Sequence, residues 1–122
     1  MGLLRSAQVL LVVALSVVAW QSLVRPADVI VQVSLSDKLI HGVGYAVLAL
    51  CAMLAQRRSR PFVSWLGVVA FGVALEFAQG WLGYRSYEPA DIVADAIGAA
   101  SGVLIGLSVR AKLPRAGWAA IP

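Results

Sequence analysis

Apolar residues fall in four long runs separated by short segments rich in charge, proline and glycine. Ser6 to Val24 carries no charge. At about 1.5 Å per residue, such a run is long enough to cross the roughly 30 Å hydrocarbon core of a bilayer as a helix. Pro26 stops it, and Ala27 to Ser36 alternates imperfectly between polar and apolar, which predicts an extended or interfacial loop. Ser36 reads as a cap for a second run that begins at Asp37 and ends before Arg57, Arg58 and Arg60. Pro61 opens a third run, interrupted only by Glu76 and Gln79, and the turn-rich segment Gly83 to Pro89 ends it. Pro89 opens a fourth, which Arg110, Lys112, Pro114 and Arg115 close. The pattern predicts a single all-α membrane domain over 1–122, a bundle of about four transmembrane helices at 6–24, 37–56, 62–82 and 90–109. A cleaved signal peptide competes for the first run, but the run is long for one and lacks a small-x-small cleavage site.

Composition supports this reading: 61% of the 122 residues are hydrophobic and 13% are charged, against about half and a quarter in a soluble domain. The formal charge of +4 does not point to nucleic acid, because the cations cluster at the ends of apolar runs and form no basic face. They serve instead as topology signals. With four spans, Arg5, Arg57, Arg58, Arg60, Arg110, Lys112 and Arg115 share one side, leaving Arg25, Lys38 and Arg85 on the other. The excess of Lys and Arg marks the cytoplasmic side, so both termini are expected there. Trp20, Trp81, Tyr84 and Tyr87 then gather at the outer interface, where amphipathic rings are favoured. Cys51 is the single cysteine, which excludes an intrachain disulfide and a cysteine-based metal site.

All six acids, Asp28, Asp37, Glu76, Glu88, Asp91 and Asp95, belong to the outer loops or the outer halves of spans. Asp37, His41 and Tyr45 follow an i, i+4, i+8 spacing on one helical face. Glu76 and Gln79 share a stripe with Gly72, Gly80 and Gly83. Asp91 and Asp95 lead into Gly98, Gly102 and Gly106, a small-xxx-small seam that reads equally as an internal packing surface or as a homo-oligomer contact. Counting residues from the helix ends puts His41, Glu76 and Asp95 roughly 6 to 9 Å below the outer surface. If the glycine faces turn inward, Asp37, His41, Tyr45, Glu76, Gln79, Asp91 and Asp95 surround one outward-opening polar pocket, with Arg85 above it and Lys38 at its rim. A carboxylate facing lipid costs about 2.5 to 3.5 kcal/mol at mid-helix, so these groups should face one another or water. The plain alternatives are a network holding helices together, with the glycines as packing and Lys38 snorkelling to the surface.

The order Asp37-Lys38-Leu39-Ile40-His41 with Tyr45, then Glu76-Phe77-Ala78-Gln79, then Arg85 and Asp91-Ile92-Val93-Ala94-Asp95 leading to Gly98, resembles the VanZ-like family of small bacterial membrane proteins over about 37–106. Two positions depart from the family pattern: Asp95 stands where Asn is usual, and Gly42 where a bulky apolar residue is common. The resemblance implies a multi-pass protein of the bacterial plasma membrane and cell envelope, linked through the family's name to resistance to the glycopeptide teicoplanin. The expected partners are the lipid bilayer and an envelope glycopeptide or lipid-linked ligand at the pocket; no cofactor is named by any motif. Two other classes compete. A membrane enzyme would use His41, Glu76 and Asp91 as an acid–base or metal site, although no recognised catalytic motif is present. A small proton-coupled carrier would rest on Glu76 and His41, but lacks acids in the cytoplasmic half.

Overall fold

The computed structural model describes residues 2–23, 35–83 and 89–113, with the backbone alone for 35–38. Four helices follow one another along the chain: α1 (Leu3–Leu23), α2 (Leu35–Leu54), α3 (Pro61–Leu82) and α4 (Pro89–Lys112). No strand occurs among the described residues, and the fold is an all-α bundle as the apolar runs predict. Three helices, α1, α3 and α4, are long and apolar enough to cross a membrane, while the apolar part of α2 is the shorter stretch Leu39–Leu54.

The ends of the helices follow local chemistry. Pro61 and Pro89 each occupy a first helical turn, where a missing N–H costs nothing and φ is already helical. Gly83 ends α3 in the left-handed region at φ 75°, with its N–H returned to the carbonyls of Gln79 and Gly80. Ser36 lies inside α2, one residue beyond Leu35, so it is not the cap expected of it. α4 runs on past Val109 to Lys112, since a cation in the last turn suits the negative end of the helix dipole.

α2 is the hub. It packs against all three other helices, most extensively against α4, whereas α1 and α4 do not meet among the described residues. Its inward residues Tyr45, Leu48, Ala49 and Met53 are buried with Val68 of α3 and Ala99 and Val103 of α4. The glycine seam explains how close α2 and α4 come. A Cβ on Gly98 would overlap the carbonyl of Gly42, and one on Gly102 the carbonyl of Ala46; one on Gly106 would stand 2.6 Å from Cβ of Met53. The small residues therefore form an internal seam in which backbone lies on backbone, and Gly42 belongs to it. Gly80 and Gly83 do not continue the stripe of Gly72: both are exposed and a Cβ on either would meet nothing.

Side-chain bonds fix the alternating direction of the helices. Gln8 near the start of α1 donates to the Ala55 carbonyl just past α2 (3.2 Å), and Gln79 near the end of α3 donates to the Ser22 carbonyl near the end of α1 (2.8 Å). Trp65 ties α3 to α4 through the Ala96 carbonyl (3.0 Å). The outer surface is apolar on every helix. Leu10, Val13, Ile40, Val47, Phe62, Leu66, Ile97 and Leu104 are among the large side chains left exposed. A water-soluble protein does not carry so much contiguous apolar surface, whereas a lipid-facing bundle requires it. The chain is a membrane protein.

Candidate functional site

The end of the bundle formed by the C-termini of α1 and α3 and the N-termini of α2 and α4 holds every described acid. Glu76, Asp91 and Asp95 are all buried, as are Tyr45 and Gln79. An ionisable group inside a span is tolerated where other polar groups or water satisfy it.

The centre of the cluster is a contact between α2 and α4. His41 Nδ1 lies 2.9 Å from Asp95 Oδ1, with the Asp95 side chain 1% exposed and the imidazole 20% exposed. An ionised Asp95 only accepts, so in that state Nδ1 bears the hydrogen and donates it. The imidazole also stacks on the Tyr45 ring, one turn further into α2, at a centroid separation of 5.8 Å. Tyr45 is in turn within electrostatic reach of both Asp95 and Glu76, and Asp91 is within reach of Asp95. Gly72 of α3 makes room for this arrangement: a Cβ there would come within 2.8 Å of Asp95 Oδ2 and 2.9 Å of the Tyr45 ring. Asp95 Oδ2 itself is buried and has no hydrogen-bond partner among the described residues. One carboxylate oxygen thus orients His41 while the other is enclosed without a hydrogen-bond partner among the described residues, an unfavourable arrangement in an apolar interior.

The expected site residues divide into three groups. His41, Tyr45, Glu76, Asp91 and Asp95 are brought to one end of the bundle, around the α2–α4 contact. Gln79 is buried at the same end, but its amide fastens α3 to α1. Asp37 and Lys38 lie in the first turns of α2 with side chains outside the description, and Arg85, Tyr84 and Tyr87 lie outside the described residues. Trp20 and Trp81, 70% and 91% exposed, flank this end on α1 and α3 as an interfacial pair would. Among the described residues, no three His, Cys, Asp or Glu side chains are grouped as a metal ion would need.

Two contributors escaped the sequence reading. Gly72 belongs by spacing to a packing stripe, and in the fold it admits the Asp95 carboxylate and the Tyr45 ring. Arg110 is, by sequence, a topology charge alone. Its guanidinium turns inward and donates to the carbonyls of Met53 (2.8 Å), Gln56 (2.7 Å) and Arg57 (2.9 Å), closing the C-terminus of α2 from the neighbouring helix. The signal for Gly72 was present in its i, i+4 spacing to Glu76; nothing local distinguishes Arg110 from its basic neighbours. No protein-family model, curated protein or solved structure matches this chain.

Proposed function

We propose that this chain is a VanZ-like protein of the bacterial plasma membrane, whose polar end faces outward and engages a cell-wall or lipid-linked molecule, with an effect on teicoplanin susceptibility. The observation that carries the reading is the His41–Asp95 contact at 2.9 Å, with a second carboxylate oxygen that has no hydrogen-bond partner among the described residues of the bundle. Packing alone does not call for that investment, because an apolar pair of similar volume between α2 and α4 holds helices together without an orphaned acceptor. The partly exposed imidazole held by that carboxylate suits a polar group on an incoming molecule, and the exposed Trp20 and Trp81 suit a molecule that lies at the interface.

The test compares cells carrying the unaltered chain with cells carrying Asp95→Asn or His41→Gln, scoring teicoplanin susceptibility and membrane abundance together. The reading expects a changed susceptibility at unchanged abundance. Susceptibility identical with and without the chain would remove the glycopeptide role, and susceptibility that follows abundance alone would reduce the cluster to helix packing.

A second reading has one specific observation in its favour: an imidazole oriented by a carboxylate is the arrangement of a general base. In that reading His41 is the base and Asp95, rather than Glu76 or Asp91, orients it. Turnover of a lipid-linked phosphate by purified protein, lost in His41→Gln, would establish it.

A further inference from the structure

The opposite end of the bundle carries a different device. The segment between α2 and α3, residues 55–60, displays Arg57, Arg58 and Arg60, all exposed. Arg5 at the start of α1 and Lys112 at the end of α4 are exposed at the same end. No Asp or Glu occurs in residues 1–27, between Lys38 and Leu75, or after Asp95, so the sequence supplies no carboxylate side chain near these cations.

The backbone of this segment is held from three helices. Gln8 of α1 binds the Ala55 carbonyl. Arg110 of α4 binds those of Gln56 and Arg57. Ser64 of α3 binds the Arg60 carbonyl through both its N–H and its hydroxyl (2.9 Å each), and the Gln56 amide donates to that same hydroxyl. A topology signal requires positive charge but no particular geometry. Fixing the backbone beneath three arginines does something more: it lowers the ordering cost of presenting several planar forks to one anion.

We infer that the 55–60 segment is a binding site for the phosphate headgroup of an anionic membrane lipid, with Arg57, Arg58 and Arg60 as donors and Arg5 and Lys112 reinforcing the field. Membrane phosphate is the source favoured over a soluble anion, because the segment joins two apolar helices and its cations stand at the level of the headgroups. Guanidinium is the fitting group, since it meets two phosphate oxygens at once while an ammonium acts as a point charge.

The experiment uses the purified full-length chain with phosphatidylglycerol against phosphatidylcholine, measuring how much of each lipid is retained. The triple variant Arg57→Lys, Arg58→Lys, Arg60→Lys keeps every charge and the topology signal while removing the forks. The unaltered chain is expected to prefer phosphatidylglycerol by about tenfold, the triple variant to lose about fivefold of that preference, and Arg58→Lys alone to fall between. Thermal unfolding in phosphatidylcholine alone should be the same for all three. An unaltered preference in the triple variant would overturn the proposal, since charge alone would then explain the binding. Displacement of the lipid by inorganic phosphate would overturn its assignment to a lipid.

Discussion

The two ends of the bundle are joined by the same pair of helices and use opposite chemistry. At one end α2 and α4 meet through side chains: His41 on α2 against Asp95 on α4, with Tyr45 stacked beneath and Gly72 of α3 making room. At the other end the same helices meet through a side chain and a backbone, Arg110 of α4 closing the carbonyls that end α2. Between them the glycine seam brings the two backbones together. The basic end solves a problem every helix terminus has, the unsatisfied carbonyls of the last turn, and sends its remaining cations outward. The acidic end creates a problem no helix terminus requires, by placing acids inside, one of them with an oxygen that has no partner among the described residues. That difference is why function is sought at the acidic end and anchoring at the basic one.

Both ends of the bundle fail together if the seam they share is disrupted. Gly102→Leu places a branched side chain against the Ala46 backbone, which α2 and α4 admit only by separating, so both ends lose their ties at once.

 Overpacking of this kind costs about 3 kcal/mol, read as a loss of thermal stability in detergent and of membrane abundance.

His41→Ala breaks the acidic end alone. It leaves the Asp95 carboxylate buried with neither oxygen bound to the imidazole, at a cost of about 3 kcal/mol. The double variant His41→Ala, Asp95→Ala should lose less than the sum of the two single losses, and thermal unfolding of all four proteins measures the difference. Strict additivity would show that the contact carries no energy.

Arg110→Ala breaks the basic end alone. Three carbonyls lose a charged donor, but water at the membrane surface replaces part of it, so about 2 kcal/mol is expected. Arg110→Lys should recover only part of the loss, because one ammonium does not reproduce the fork. Teicoplanin susceptibility per folded molecule should remain as in the unaltered chain.

The smallest effect is expected on the exposed apolar surface, away from both ends. Val63→Leu, on an exposed apolar position of α3, should change thermal stability by less than about 0.5 kcal/mol. A large effect there would mean that the face is covered by protein and not by lipid.

Much of this architecture was legible in the sequence, because a span needs only length and apolarity and a helix end needs only a local residue. Pro61, Gly83 and Pro89 acted where they stood. The gathering of His41, Tyr45, Glu76, Asp91 and Asp95 at one end followed from depth counted along each helix. What spacing cannot supply is the partner of a face. The Gly98, Gly102, Gly106 seam read equally as internal or intermolecular, and only the approach of Gly42 and Ala46 assigns it to α2. For the same reason Gln79 pointed to the acids by periodicity but binds α1, and Arg110 was indistinguishable from the cations that face outward. Ser36 had the chemistry of a cap, yet the helix already includes Leu35 before it.

The proposed orientation has the acidic end facing out of the cell and the basic end facing in. Replacing the lone cysteine by Cys51→Ser leaves a chain in which one new thiol reports one end. Gln21→Cys marks the acidic end and Ser59→Cys the basic end, both at exposed positions. With a membrane-impermeant thiol reagent applied to intact cells, the account predicts labelling at position 21 at once and at position 59 only after permeabilisation. Labelling at position 59 in intact cells, with position 21 protected until permeabilisation, would contradict it.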